Sequence, residues 1–135
     1  MQLRTICKSK IHHAIITEAN LQYIGSIAID SDLLNLSNIL PGEKVYVWNI
    51  SNGERLETYA LPAPAGSGQI ILNGAAARRA QVGDKIIVVA FSLTDEEINP
   101  RMILVNDRNK FVEWLSDNRM PEPSNIDLTA PAAED

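Results

Sequence analysis

The chain carries a single cysteine, Cys7, among 135 residues. One thiol excludes an intrachain disulfide, and without a C-x-x-C pair there is no thiolate set for zinc. No long apolar run follows Met1-Gln2-Leu3-Arg4. Neither a signal peptide nor a membrane-spanning helix is therefore read, and the expectation is a cytoplasmic protein with no membrane partner. Positive charge is also scarce: 12 Lys and Arg stand against 17 Asp and Glu, for a net charge of −5. Nucleic-acid binding is driven by clustered positive charge, so that class of partner is not expected.

What the chain does have is enough apolar material for one core. Its 135 residues suit a single domain, which buries roughly two-thirds of the unfolded surface on folding. Hydrophobic residues make up 45%, an ordinary share for a globular protein.

Ile15-Ile16-Thr17, Leu21 and Tyr23 favour extended structure, with Glu18-Ala19-Asn20 read as a turn. Ile27-Ala28-Ile29 is a short strand, and Ser31 to Leu36 reads as a short helix capped by Ser31. Lys44 to Ile50 alternates as a strand, Asn52-Gly53 is a hairpin signal, and Arg55 to Leu61 returns. Gln69 to Leu72, Lys85 to Phe91 and Arg101 to Val105 add strands, with a turn and one helical turn after Asn73. The spacing of Phe111, Val112, Trp114 and Leu115 predicts a short amphipathic helix. Many short strands with glycine turns predict a mainly β fold, a small β-barrel with short helices. That domain is assigned to residues 1–118. From Arg119 the chain turns to Pro, Ala and acids, and 119–135 is expected to be a disordered tail.

Gly25-Ser26, at the end of Tyr23-Ile24, is the most informative dipeptide. A Ser hydroxyl attacks the preceding carbonyl most readily where Gly leaves it uncrowded and tolerates strained φ/ψ. The resulting ester eliminates across Cα–Cβ of the serine, releasing the upstream carboxylate. Hydrolysis of the dehydroalanine then leaves an N-terminal ketone, a pyruvoyl group, which is an electron sink for amine chemistry. A second pair, Gly66-Ser67, lies in Pro62-Ala63-Pro64-Ala65-Gly66-Ser67-Gly68 and reads as a flexible loop.

Beyond that pair, a long ordered set of residues resembles one family. Arg4-Thr5, Lys10-Ile11-His12, Thr17, Ala19, Leu21, Tyr23-x-Gly25-Ser26 and Ile29-Asp30 begin it. Trp48-Asn49, Asn52-Gly53-x-Arg55, Thr58-Tyr59 and Asn73-Gly74-Ala75-Ala76-Ala77 complete it. In order and spacing, from about Met1 to Phe91, they resemble the pyruvoyl-dependent L-aspartate α-decarboxylases. Residues from Asn99 to Asp135 carry none of the pattern. The resemblance implies a homotetrameric double-psi β-barrel made as an inactive proenzyme. It implies cleavage between Gly25 and Ser26, giving a β chain of residues 1–25 and an α chain headed by a pyruvoyl group from Ser26. The implied reaction converts L-aspartate to β-alanine and CO2, a step toward pantothenate and coenzyme A, with no metal. Maturation proceeds either unaided or with an accessory protein.

The same resemblance suggests roles, each with a plain structural alternative. Tyr59 resembles the proton donor to the carbanion, since a phenol is a competent acid toward so strong a base; alternatively it is a packed strand tyrosine. Thr58 resembles a substrate contact that also assists cleavage by bonding the Gly25 carbonyl; alternatively it is a β-branched strand former. Neighbours on a regular strand point to opposite faces, so a shared site for Thr58 and Tyr59 needs a bulge or a subunit boundary, or one role is wrong. Arg55 offers a bidentate fork and Lys10 a point charge for the two substrate carboxylates, in either assignment. Gly74, Ala75 and Ala76 match a substrate-binding turn whose small side chains admit a ligand to backbone N–H groups. Asn73 orients the pyruvoyl carbonyl or the cleavage loop, and Tyr23 packs near the scissile bond. His12 is either a proton shuttle or structural. Arg78-Arg79 is a solvated face or an inter-subunit ion pair. The main rival is an unprocessed, non-catalytic barrel serving as a binding or oligomerisation module.

Overall fold

The computed structural model describes residues 1–115, and the expected 119–135 tail lies outside them. The strands are β1 (Arg4–Ile15), β2 (Glu18–Asn20), β3 (Ser26–Asp30), β4 (Lys44–Asn49), β5 (Arg55–Ala63), β6 (Ile70–Asn73), β7 (Lys85–Thr94), β8 (Arg101–Val105) and β9 (Phe111–Trp114). One α-helix, α1 (Ser31–Ser37), follows β3, and a 3-10 helix, Gly74–Arg79, follows β6. The strands form one mixed sheet in the order β2-β6-β3-β5-β4-β7-β1-β8-β9. Their inner faces share one core, in which Ile11, Ile27, Ile29, Val45, Ile70, Leu72, Ile86, Val88 and Ile103 are buried. All strands but β2 and the exposed edge strand β9 bury one face in this core, so the sheet is curled, and the fold is a small β-barrel with short helices. Each fully buried Ile, Leu or Val stabilises the fold by about 1.5–3 kcal/mol.

The pattern within strands follows the side-chain period of two. Along β4, Val45, Val47 and Asn49 are buried while Lys44, Tyr46 and Trp48 face outward. The Asn52-Gly53 turn, with Gly53 at φ +79°, returns the chain into β5 in unbroken antiparallel register from Trp48↔Arg55 to Lys44↔Tyr59. β1 departs from regularity against β7, with register shifts between Cys7 and Ser9 and between His12 and Ala14, and β8 has one against β9 between Leu104 and Val105. His13 sits at φ +73° in the second of the β1 shifts.

Three local expectations are corrected. Glu18–Asn20 is not a turn but β2, which pairs in parallel with Ile71–Asn73. The Phe111–Leu115 segment is not a helix: Phe111–Trp114 is strand β9, antiparallel to β8. The spacing of its apolar residues suits either element, and pairing with β8 decides. The cap of α1 is Asp30 rather than Ser31, with Asp30 Oδ1 accepting from the Asp32 N–H at 2.9 Å. Asp30 is itself buried and also accepts from the N–H groups of Gly66 (3.0 Å) and Gly68 (2.9 Å).

Candidate active site

β3 starts at Ser26, and its first residue is already in the interior. Ser26 is 1% exposed, while Tyr23 and Ile24 just before it are 62% and 86% exposed. The chain thus drops from the surface to the core across Ile24-Gly25-Ser26. Antiparallel pairing with β6 sets Ser26 opposite Asn73, the last residue of that strand. Asn73 Nδ2 donates to Ser26 Oγ at 3.1 Å and fixes the serine side chain. Asn73 Oδ1 is buried with no hydrogen-bond partner. A buried acceptor left unpaired is costly.

Gly74 comes next and has φ +69°. A Cβ there would lie 2.6 Å from Gly25 Cα, 2.7 Å from Gly25 N and 3.0 Å from the Tyr23 carbonyl oxygen. Two backbone segments can approach this closely only because position 74 has no side chain. Gly25 itself lacks the strained backbone expected of it: it is not among the positive-φ glycines, and a Cβ there would meet only Asn73 O, at 3.9 Å. The conformational demand sits on Gly74, and what Gly25 offers is an uncrowded carbonyl. Tyr23 contributes its carbonyl to this contact rather than a buried ring.

β5 flanks the same corner from the other side. It runs parallel to β3 with Ile27 opposite Ala60, so Tyr59 lies level with Ser26 at the strand entrance. Along β5, Leu56 and Thr58 are half-buried while Arg55, Glu57 and Tyr59 are exposed. Thr58 and Tyr59 therefore face opposite ways, and the unbroken β4–β5 register removes a bulge as the way to reconcile them. No hydrogen bond between described residues involves either hydroxyl.

Arg55, Ala75, Ala76 and Arg79 line one open depression of about 480 Å³. Arg55 also stacks its guanidinium on the Trp48 ring, 4.6 Å from the centroid, which orients the fork. Lys10 is placed elsewhere. It pairs with Val89 and Met102 in the middle of β1, four strands from β3 in the sheet order. The neighbouring His12 is stacked on His13, with centroids 3.8 Å apart. Arg79, read from sequence as a solvated face or an inter-subunit pair, forms an ion pair within this chain, Nη1 to Glu54 Oε2 at 2.6 Å.

Cys7 and Lys44 titrate away from their ordinary values. Burial pushes the Cys7 thiol up, more than its hydrogen bond to Ser9 and the nearby Lys10 and Lys8 lower it. The hydrogen bond and charge of Glu57 raise the exposed Lys44. A thiol held protonated by burial is a poor nucleophile, so Cys7 does not compete with serine chemistry. Among the described residues there is no group of three or more His, Cys, Asp or Glu placed to hold a metal ion, and no helix is long and apolar enough to cross a membrane.

The family model for aspartate decarboxylase matches residues 1–112. The chain belongs to this family. It is 55% identical over 113 residues to the aspartate 1-decarboxylase of Carboxydothermus hydrogenoformans, covering 81% of this chain and 89% of the relative. It is 56% identical over 116 residues to the enzyme of that name from Caldicellulosiruptor bescii, covering 83% and 90%. The likeness to the aspartate 1-decarboxylase of Leptothrix cholodnii extends over 132 residues at 46% identity, 95% of this chain and 97% of the relative.

Of the residues the aspartate decarboxylase pattern singles out, Tyr23, Gly25, Ser26, Asn73 and Gly74 meet at one corner; Ala75 and Ala76 follow along the 3-10 helix, and Arg55 of β5 lines one depression with them. Sequence reading missed the backbone contact of Gly74 with Gly25, because glycine spacing does not reveal which distant backbone it faces. It also missed the Glu54–Arg79 pair, which joins residues 25 apart in sequence.

Proposed function

We propose that this chain is a self-processing decarboxylase that converts L-aspartate to β-alanine and CO2, on the way to pantothenate and coenzyme A in the cytoplasm. The observation that carries the proposal is the buried Ser26, its hydroxyl held by Asn73 and its neighbour Gly25 pressed against Gly74. A serine used only as a strand residue has no need of that setting. The catalytic domain is assigned to residues 1–118, with 119–135 as a tail, and the assembly to a homotetramer.

Maturation begins when Ser26 Oγ attacks the Gly25 carbonyl carbon. Asn73 keeps the hydroxyl in place, and Thr58 is assigned to hydrogen-bond the carbonyl oxygen as it gains charge. The C–N bond between Gly25 and Ser26 breaks as the ester forms. Elimination then releases Gly25 as a carboxylate, and hydrolysis of the dehydroalanine releases ammonia. The residues fit the resulting pyruvoyl group: Asn73 Nδ2, which donates to Ser26 Oγ, is a donor that a carbonyl there would accept from, and the Gly25–Gly74 contact leaves no side chain in the way. That group supplies a ketone conjugated to a carbonyl, an electron sink for the pair freed with CO2.

The remaining work belongs to side chains and backbone. L-aspartate carries two carboxylates. Arg55 takes one with its planar fork, pre-oriented on Trp48. The N–H groups of the Gly74-Ala75-Ala76 turn line the approach, and Lys10 offers a second positive charge. Because Lys10 stands four strands from β3 and Thr58 and Tyr59 face apart, a boundary between protomers of the homotetramer is assigned to complete the site. Tyr59, level with Ser26, returns a proton to the substrate Cα.

The test is β-alanine formation from L-aspartate by the purified chain, with Ser26→Ala alongside. Turnover by the parent chain and none by the variant is the expected result. Background-level β-alanine from a fully split parent chain would contradict the assignment.

A further inference from the structure

We propose that Asn49, together with Asn52, is a positioning residue for substrate: the two amides grip the far end of the 3-10 helix and set Ala75 and Ala76 against Arg55. This rests on the decarboxylase reading given above. The 3-10 helix has six residues, and Asn73, the residue that precedes it, makes no side-chain capping bond. Such helices have poor internal hydrogen bonding, and their last carbonyls are left without partners. Here the Arg79 carbonyl receives two side-chain amides, from Asn52 Nδ2 at 3.0 Å and Asn49 Nδ2 at 3.3 Å. The Glu54–Arg79 ion pair closes on the same residue.

Asn49 is 4% exposed, and every polar end of it is used. Nδ2 also donates to Asp84 Oδ2 at 2.8 Å, and Oδ1 accepts from the Ser51 N–H at 2.9 Å. Asn52 Oδ1 likewise accepts from the Glu54 N–H at 2.9 Å. Each amide thus builds its own turn with oxygen and holds the helix with nitrogen; an ionised Asp has no donor for this, and Ser is too short. Arg55 is the residue after Glu54. The clamp therefore fixes the distance between the guanidinium and the backbone of Ala75 and Ala76, which line one depression. Displacements of ~1 Å in such a pair are enough to weaken recognition and rate. Ser26 is outside its reach, because the Ser26–Asn73 contact is set by β3–β6 pairing.

The experiment uses the split wild-type enzyme, Asn49→Ala and Asn52→Ser. Serine retains the turn-forming oxygen but is too short to reach Arg79, and the exposed position keeps that variant folded if Asn49→Ala fails. Succinate, a dicarboxylate with no amine, is titrated by calorimetry, and kcat and KM for L-aspartate are measured beside it. The expected result is complete splitting, a succinate Kd and an aspartate KM both raised roughly three- to tenfold, and kcat within about twofold. A lowered melting temperature with Kd and KM unchanged would overturn the proposal, as would loss of splitting in the folded Asn52→Ser variant. If wild type itself splits but produces no β-alanine, the decarboxylase reading fails, and succinate affinity still decides whether the clamp sets the pocket.

Discussion

Two Gly-Ser pairs occur in this chain, and their surroundings could hardly differ more. Ser67 is exposed, and its hydroxyl accepts from the Gln69 N–H at 3.2 Å to close a surface turn. Gly66 takes φ +75° for that turn, and a Cβ there would meet only Asp32 Oδ2, at 3.8 Å. Ser26 is buried, and its hydroxyl is held by an amide from another strand. Its glycine neighbour is crossed by a second backbone at Gly74. The same dipeptide is a turn in one place and a candidate cleavage site in the other. Long-range pairing makes the difference, since β6 brings Asn73-Gly74 across 47 residues.

Exchange of each serine breaks the comparison most sharply. Ser26→Ala removes the nucleophile, so splitting and β-alanine formation both fall to background, whereas Ser67→Ala leaves both at wild-type levels; gel mobility and an amino-acid assay read the two. A split, active Ser26→Ala protein would equate the two loops. The next effect is on β5, whose Tyr59 lies level with Ser26. Tyr59→Phe should split normally yet lose roughly 10²–10⁴ in kcat, the usual worth of a positioned acid. Normal turnover would remove Tyr59 from that role.

Gly66 and Gly74, both at positive φ, sharpen the contrast through stability. Gly66→Ala pays only for its backbone conformation, about 1–2 kcal/mol in denaturant unfolding, with splitting unaffected. Gly74→Ala adds a clash with the Gly25 backbone, so a loss of roughly 3 kcal/mol or more and slowed splitting are expected. Equal effects from the two would mean that the Gly25–Gly74 contact is not tight in solution.

Much of the fold was legible because it is locally encoded. Alternation over Lys44–Asn49 and the Asn52-Gly53 turn define the β4–β5 hairpin without reference to anything distant. β2 was not legible, since Glu18-Ala19-Asn20 has turn-like composition and becomes a strand only through pairing with Ile71–Asn73. β9 was misread for the related reason that Phe111, Val112 and Trp114 suit one face of a helix as well as an edge strand. At the site, the identity of Ser26 and Asn73 could be read from motif order, but their contact could not. The clamp of Asn49 and Asn52 on Arg79 was likewise invisible, because its partners are 30 and 27 residues apart.

The most direct measurement is the mass spectrum of the purified, denatured protein, before and after treatment with hydrazine. The account predicts two chains, residues 1–25 and 26–135, with the larger carrying a carbonyl that hydrazine derivatises in place of the Ser26 amine and side chain. A single intact mass that persists on prolonged warming and after addition of an accessory-containing lysate would contradict it, and would leave the chain as a barrel that assembles without this chemistry.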